Sequence, residues 1–272
     1  MTKHDDISSI FDLTGSVALV TGAAAGLGRA ITIGLAQFGA AVVAADIDDG
    51  GLAQTVAKVT SLNQKGVGLH CDTSQPDEIK NMFGQLDKQF GHIDILVNNV
   101  GVIARAHPED MALEDWERVL RINLTGSFLC AQEAGRRMIA SGQGGSIINI
   151  SSIAGVSALG RGNLVYSTTK GAINQLTREL AIEWANHNIR VNAILPVQMR
   201  TAWVERLTSG ADAETLMKTI LGGIPLNRLG EPEDMVGPVV FLASKASAFV
   251  TGMLLPVDGG NLALNAGGTL NV

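Results

Sequence analysis

Tyr166 is the only tyrosine in the chain, and Lys170 follows four residues later, a spacing that on a helix projects both side chains from one face. A free phenol ionises at a pH of about 10, and a fixed ammonium beside it favours the phenolate and lowers that value. The pair predicts proton exchange with an alcohol or a ketone, Tyr166 serving as general base in oxidation and general acid in reduction. Ahead of it, the apolar run Ile147-Ile148-Asn149-Ile150 ends in Ser151-Ser152. Either hydroxyl is placed to donate to a substrate oxygen as charge develops there.

These residues move a proton but not a hydride, so the chemistry needs a cofactor. An apolar run from Val17 enters Thr21-Gly22-Ala23-Ala24-Ala25-Gly26-Leu27-Gly28 and then a helical pattern, the setting of a dinucleotide-binding turn. Gly22 permits the sharp turn, Gly26 the close approach of backbone to pyrophosphate, and Gly28 the tight packing of helix on sheet, with the helix N-terminus facing the phosphates. Asp46 closes the next apolar run, where a carboxylate accepts hydrogen bonds from the ribose hydroxyls and repels a 2′-phosphate. That predicts NAD rather than NADP. Arg29, inside the helix, reads as a solvated surface residue.

The elements that must hold these groups alternate along the chain. Strands are expected at Val17–Val20, Ala41–Ala45, Val67–Cys71, Ile93–Val97, Ser146–Ile150, Arg190–Ile194 and Met253–Val257, all too apolar to be buried on one face only. Helices are expected after Gly26, over Pro76–Phe90, Leu113–Ala140 and Tyr166–His187. The reading is an α/β fold of Rossmann type, doubly wound, with a seven-stranded parallel sheet and helices on both faces in a single domain. Residues 1–12 form an N-terminal extension, 13–260 the catalytic domain and 261–272 a tail, while 197–223 interrupt the rhythm as a substrate lid.

Composition excludes other classes. A formal net charge of −6, with no Lys/Arg cluster, argues against nucleic acid. No apolar run approaches the roughly 20 residues that span a bilayer, and the acidic start is unlike an export signal, so a cytoplasmic protein with no membrane partner is expected. Cys71 and Cys130 read as core residues, and the five scattered histidines predict no metal site.

The pattern Thr21-Gly22-x-x-x-Gly26-x-Gly28 with Tyr166-x-x-x-Lys170, in this order, resembles the short-chain dehydrogenase/reductase family from about Leu13 to Gly260. The resemblance implies that Ser152 is the catalytic serine and that Asn123, in Arg121-Ile122-Asn123-Leu124-Thr125-Gly126, distorts a helix and holds a water linking Lys170 to solvent. It implies cofactor contacts from Gly22, Ala25, Gly26, Leu27, Gly28, Asp46, Asp72, Thr73, Asn99, Gly101, Tyr166 and Lys170. In Asn192-Ala193-Ile194-Leu195-Pro196-Val197-Gln198-Met199-Arg200-Thr201 it implies Pro196, Met199 and Thr201 at the nicotinamide. Val100 and Val197 stand where relatives have smaller residues. The segments Arg228–Asp234, Val250–Gly252 and Val257–Gly260 resemble those used in subunit packing, which implies a homotetramer.

Val102-Ile103-Ala104-Arg105-Ala106-His107-Pro108 follows the fourth strand and resembles a stretch of the gluconate 5-dehydrogenase and 2-deoxygluconate 3-dehydrogenase branch. Arg105 is read as a partner for a sugar-acid carboxylate and His107 as a further substrate contact. The expectation is an NAD-dependent oxidoreductase interconverting a secondary alcohol and a ketone on a sugar acid, sugar or polyol. The alternatives are an NADPH-dependent 3-oxoacyl thioester reductase and a cofactor-sensing binding protein with a silent site. The tail after Asn261 is expected to pack on a neighbouring subunit near its lid.

Overall fold

β-branched and small apolar residues fill seven short runs whose backbones pair in parallel: β1 Val17–Thr21, β2 Ala41–Asp46, β3 Gly66–His70, β4 Ile95–Asn98, β5 Gly145–Ile150, β6 Ile189–Pro196 and β7 Leu254–Val257. The computed structural model describes residues 7–201, 204 and 213–264. Strand order is β3-β2-β1-β4-β5-β6-β7, every pair parallel. This is the doubly wound sheet that the alternating pattern predicts, reversing direction between β1 and β4.

Alternation along each strand feeds two cores. Ala18 and Val20 pack with Ile31 and Leu35 of α1 (Gly26–Gln37), while Leu19 between them packs with Ile79, Met82 and Phe83 of α3 (Pro76–Phe90). Helix α2 (Asp49–Ser61) and α8 (Val236–Ala243) share the first face. Helix α5 (Gly126–Ser141) and α6 (Leu164–Glu183) cover the second. Burying each such Leu, Ile or Phe contributes about 1.5–3 kcal/mol, so both faces must be covered for the sheet to persist. Cys71 and Cys130 lie in the second core, where burial pushes the Cys71 thiol up to about 12 and also raises Cys130.

Several expectations change. Edge strands β3 and β7 are only partly buried, since each lacks a neighbour on one side. The helix expected over Leu113–Ala140 is α4 (Leu113–Leu120) joined to α5 through one π-helical turn at Arg121–Thr125. Helix α6 stops at Glu183, and a 3₁₀ turn at Ala185–His187 leads into β6. The segment at Arg228–Asp234 becomes helical only from Pro232, behind a reciprocal cap between Glu231 and Asp234. Of the expected lid, 202–203 and 205–212 lie outside the described residues, and α7 (Ala213–Leu221) is its helix. The tail from 265 onward also lies outside them, but Asn261 donates to the Gly223 carbonyl of its own chain.

Candidate active site

The C-terminal ends of β1, β4, β5 and β6 open on one cavity of about 780 Å³. In a doubly wound sheet this is where the strand order reverses and the chain leaves room for a ligand. Leu27, Asn99, Gly101, Arg105, Ser152, Tyr166, Lys170, Pro196, Met199 and Thr201 all line it. Ala25, Gly26, Asp46, Asp72 and Thr73 do not, being on the neighbouring turns, and His107 is exposed at the start of a 3₁₀ turn outside the lining.

The glycine turn is built as the spacing requires. Gly22 and Gly26 have φ of 68° and 52°, and a Cβ on Gly28 would sit 1.9 Å from the Gly22 carbonyl oxygen. The Asn99 amide donates to the Thr21 and Gly22 carbonyls at 3.0 and 3.2 Å, tying the end of β4 to the turn. Ala25, the residue before α1, has no side chain able to cap the helix. The first-turn amides of α1 are thereby left without a side-chain acceptor, which suits the phosphates of a dinucleotide.

Asp46 accepts from the Ala24 amide at 2.9 Å and from the amides of Ile47 and Asp48 at 2.7 and 3.1 Å. It therefore shapes the glycine turn as well as marking the end of β2. Arg29 departs from its surface reading: its guanidinium donates to Thr55 Oγ1 at 3.1 Å and to the carbonyls of Ala24 and Gly51, clamping the turn to α2. Asp72 turns inward to its own loop, accepting from Ser74 N at 2.8 Å.

Tyr166 and Lys170 lie on the first two turns of α6 and face the cavity together. Lys170 is 3% exposed, its Nζ donating to the Ile150 carbonyl at 2.7 Å and lying 5.6 Å from the Tyr166 ring centre. Burial lowers its pKa from 10.5 to about 8. The expected lowering of the Tyr166 pKa is reversed here, because burial raises it and the hydrogen bond with Ser152 only partly opposes that. Desolvation outweighs the Ser152 hydrogen bond, and the Lys170 ammonium is turned to the Ile150 carbonyl.

The two serine hydroxyls take different partners. Ser151 Oγ points away to Asn174 Oδ1 at 2.6 Å, whereas Ser152 Oγ is bonded to Tyr166 and accepts from Ala154 N at 3.1 Å. Asn123, fully buried in the π-helical turn, accepts from Val102 N at 2.8 Å and donates to Val102 O at 2.9 Å and Thr169 Oγ1 at 3.1 Å. Thr169 in turn donates to the Tyr166 carbonyl at 2.8 Å. Val197 avoids positive φ and bonds to the Val257 carbonyl, so the chain runs on to Met199, which bridges Gly230.

Two basic cavity residues escape the sequence reading: Arg118 of α4 and Arg161 in the loop before α6. Arg118 is disguised as an ordinary surface ion pair with Asp115 at 2.7 Å, and Arg161 sits in a glycine-rich loop with no periodic pattern to aim it. With Arg105 and Lys170 they give the lining, among the described residues, four basic side chains and no Asp or Glu, in a chain whose net charge is −6.

A family model described as Enoyl-(Acyl carrier protein) reductase matches residues 22–261. The chain is 40% identical to the 2-dehydro-3-deoxy-D-gluconate 5-dehydrogenase of Escherichia coli over 94% of its own length and 99% of that protein. It is 36% identical to the D-threitol dehydrogenase of Mycolicibacterium smegmatis, covering 96% of this chain and 98% of the other. The crystal structure of a gluconate 5-dehydrogenase from Burkholderia cenocepacia in complex with NADP and tartrate superposes with a TM-score of 0.88 at 32% identity, covering 96% and 100%. With likeness running through nearly the whole chain, and with Leu27 of the glycine turn and the Tyr166/Lys170 pair on one cavity, the chain belongs to the short-chain dehydrogenase/reductase family.

Proposed function

We propose that the chain is an NAD-dependent dehydrogenase that interconverts a secondary alcohol and a ketone on a small sugar acid. One observation carries the reading: a single cavity holds the Ser152, Tyr166 and Lys170 set together with three arginines and, among the described residues, no carboxylate. A neutral polyol needs no such surplus of positive charge, whereas a carboxylate substrate does. The E. coli relative is named for a deoxy-keto sugar acid, and tartrate, a dicarboxylate, lies in the B. cenocepacia structure.

A nicotinamide dinucleotide would be held along the glycine turn by Gly22, Ala25, Gly26, Leu27, Gly28, Asp46, Asp72, Thr73, Asn99, Gly101, Pro196, Met199 and Thr201, and would supply the hydride chemistry that these side chains lack. In oxidation the Tyr166 phenolate takes the hydroxyl proton while the Ser152 hydroxyl donates to the substrate oxygen; in reduction Tyr166 gives the proton back. Lys170, with three donors and one spent on Ile150, has two left to hold the ribose and the phenolate. Asn123 fixes the backbone on both sides of this set through Val102 and Thr169. The family's water relay would rest on the same turn.

NAD is favoured because Asp46, Asp48 and Asp49 surround the end of β2, while Arg29 is held beneath the turn. The NADP in the B. cenocepacia structure makes this a point for direct test. A panel of aldonic and keto-deoxy acids, polyols, sugars and 3-oxoacyl thioesters, run with NAD(H) and NADP(H) and followed by nicotinamide absorbance, is expected to give sugar acids with NAD(H) the highest kcat/KM. Preference for NADP(H) overturns the cofactor reading, and preference for polyols or thioesters overturns the substrate reading. Tyr166→Phe is expected to keep cofactor binding and lose turnover by roughly 10²–10⁴-fold, the usual worth of a positioned proton donor. A parent protein that binds the cofactor but turns over none of these substrates, with Tyr166→Phe binding it equally well, would instead fit a binding protein with a silent site.

A further inference from the structure

The loop between β5 and α6 carries three consecutive residues in the left-handed region: Gly160, Arg161 and Gly162, at φ of 63°, 58° and 72°. Glycine adopts that backbone freely, but a long side chain with a Cβ does so at a cost that persists only where surrounding contacts enforce it. Here they do. The Asn163 amide donates to the Gly160 carbonyl at 2.8 Å, and Ala106 N donates to the Gly162 carbonyl at 3.3 Å. A Cβ on Gly162 would lie 3.0 Å from the Ala106 carbonyl, so the loop is seated directly on the segment that bears Arg105.

This seating puts Arg161 on the wall of the cavity that holds Tyr166, Ser152 and Lys170. No hydrogen bond or ion pair engages its guanidinium among the described residues, whereas Arg118 is already matched by Asp115 at 2.7 Å. A charged fork held on a strained, doubly anchored backbone, facing a cavity with no acid among its described lining residues, is arranged for an anion that arrives with the substrate. Its other neighbours on the wall, Leu159, Asn163 and Ile103, supply no competing charge.

We propose that Arg161 is the specificity-determining residue that binds the substrate carboxylate, with Arg105 from the adjoining loop as its companion. The proposal rests on the sugar-acid reading above and adds which residue selects an acid over a neutral polyol. Arg161 sets KM and substrate choice, and takes no part in proton transfer.

The test uses Arg161→Asn, since asparagine tolerates left-handed backbone but carries no charge, and Arg161→Lys, which keeps the charge and loses the fork. D-gluconate and xylitol serve as acid and neutral probes, with NAD in excess and the KM for NAD measured in parallel. Arg161→Asn is expected to raise KM for gluconate at least tenfold while kcat, the KM for NAD and xylitol turnover stay within twofold. Arg161→Lys is expected to fall between that variant and the parent. A parent preference for gluconate that survives in Arg161→Asn overturns the assignment of Arg161 alone. Equal losses on gluconate and xylitol also overturn it, showing a structural loop residue. A parent enzyme that turns over xylitol but neither oxidises gluconate nor is inhibited by it overturns the sugar-acid reading, and this assignment with it.

Discussion

Lys170 shows how one residue sets stability against function. Its ammonium is buried against the Ile150 carbonyl, and its pKa falls from 10.5 to about 8. Below about pH 8 the lysine is charged in both folded and unfolded chains, so the folded state bears the full cost of desolvating it. Between about 8 and 10.5 the unfolded chain binds more protons than the folded one, and stability contributed by this site rises with pH. Lys170→Met is therefore expected to raise stability at pH 7 by on the order of 1–3 kcal/mol, part of the desolvation cost being offset by the lost bond. The gain should shrink as pH approaches 10, and turnover should be lost. Thermal melts across that range check it; a variant that is less stable at pH 7 would show that the ammonium is a net stabiliser. Tyr166 and Lys170 were legible from type and spacing, but the sign of the Tyr166 shift was not, because burial decides it.

At the scale of elements, the break between α4 and α5 does more than bend a helix. The π-helical turn buries Asn123, whose three side-chain bonds pin Val102 on the substrate loop and Thr169 on α6. Asn123→Ala leaves the Val102 amide and carbonyl without these partners inside the protein, which costs roughly 1–3 kcal/mol for each buried group left unpaired. We expect a lower melting temperature and a lower kcat with little change in the KM for NAD, measured by calorimetry and initial rates. A fall confined to the KM for NAD would place Asn123 with the dinucleotide instead. Helical periodicity continues through Leu113–Ala140, so the extra residue in the turn leaves no mark in the apolar pattern; only the family motif hinted at it. Arg29 misled for a related reason: a basic residue on a helix resembles a solvated one until the carbonyls of Ala24 and Gly51 are brought to it.

For the whole molecule, large apolar side chains remain on the outside, among them Phe249, fully exposed, and Ile182 on the outer face of α6. Scattered exposed residues are ordinary, but a fully exposed phenylalanine beside edge strand β7 calls for a covering surface. The homotetramer that the family resemblance implies would supply one: sedimentation equilibrium is expected to give four times 28.4 kDa, and Phe249→Asp to lower the assembly state. A monomer at micromolar concentration would contradict the tetramer.

The alternation of strands and helices, the two-faced burial of the central sheet, the glycine turn and the Tyr166/Lys170 pair were determined by the sequence itself. They depend on local periodicity and on φ requirements that residue type alone dictates. What only the tertiary structure decided are relations between distant segments. It joined Ser152 to Tyr166 and Ser151 to Asn174, turned Arg29 from surface to clamp, and drew Arg105, Arg118 and Arg161 from three separate elements onto one wall with no acid among its described residues. No spacing along the chain encodes such a meeting, because the sheet's crossovers, rather than neighbouring residues, bring these side chains together.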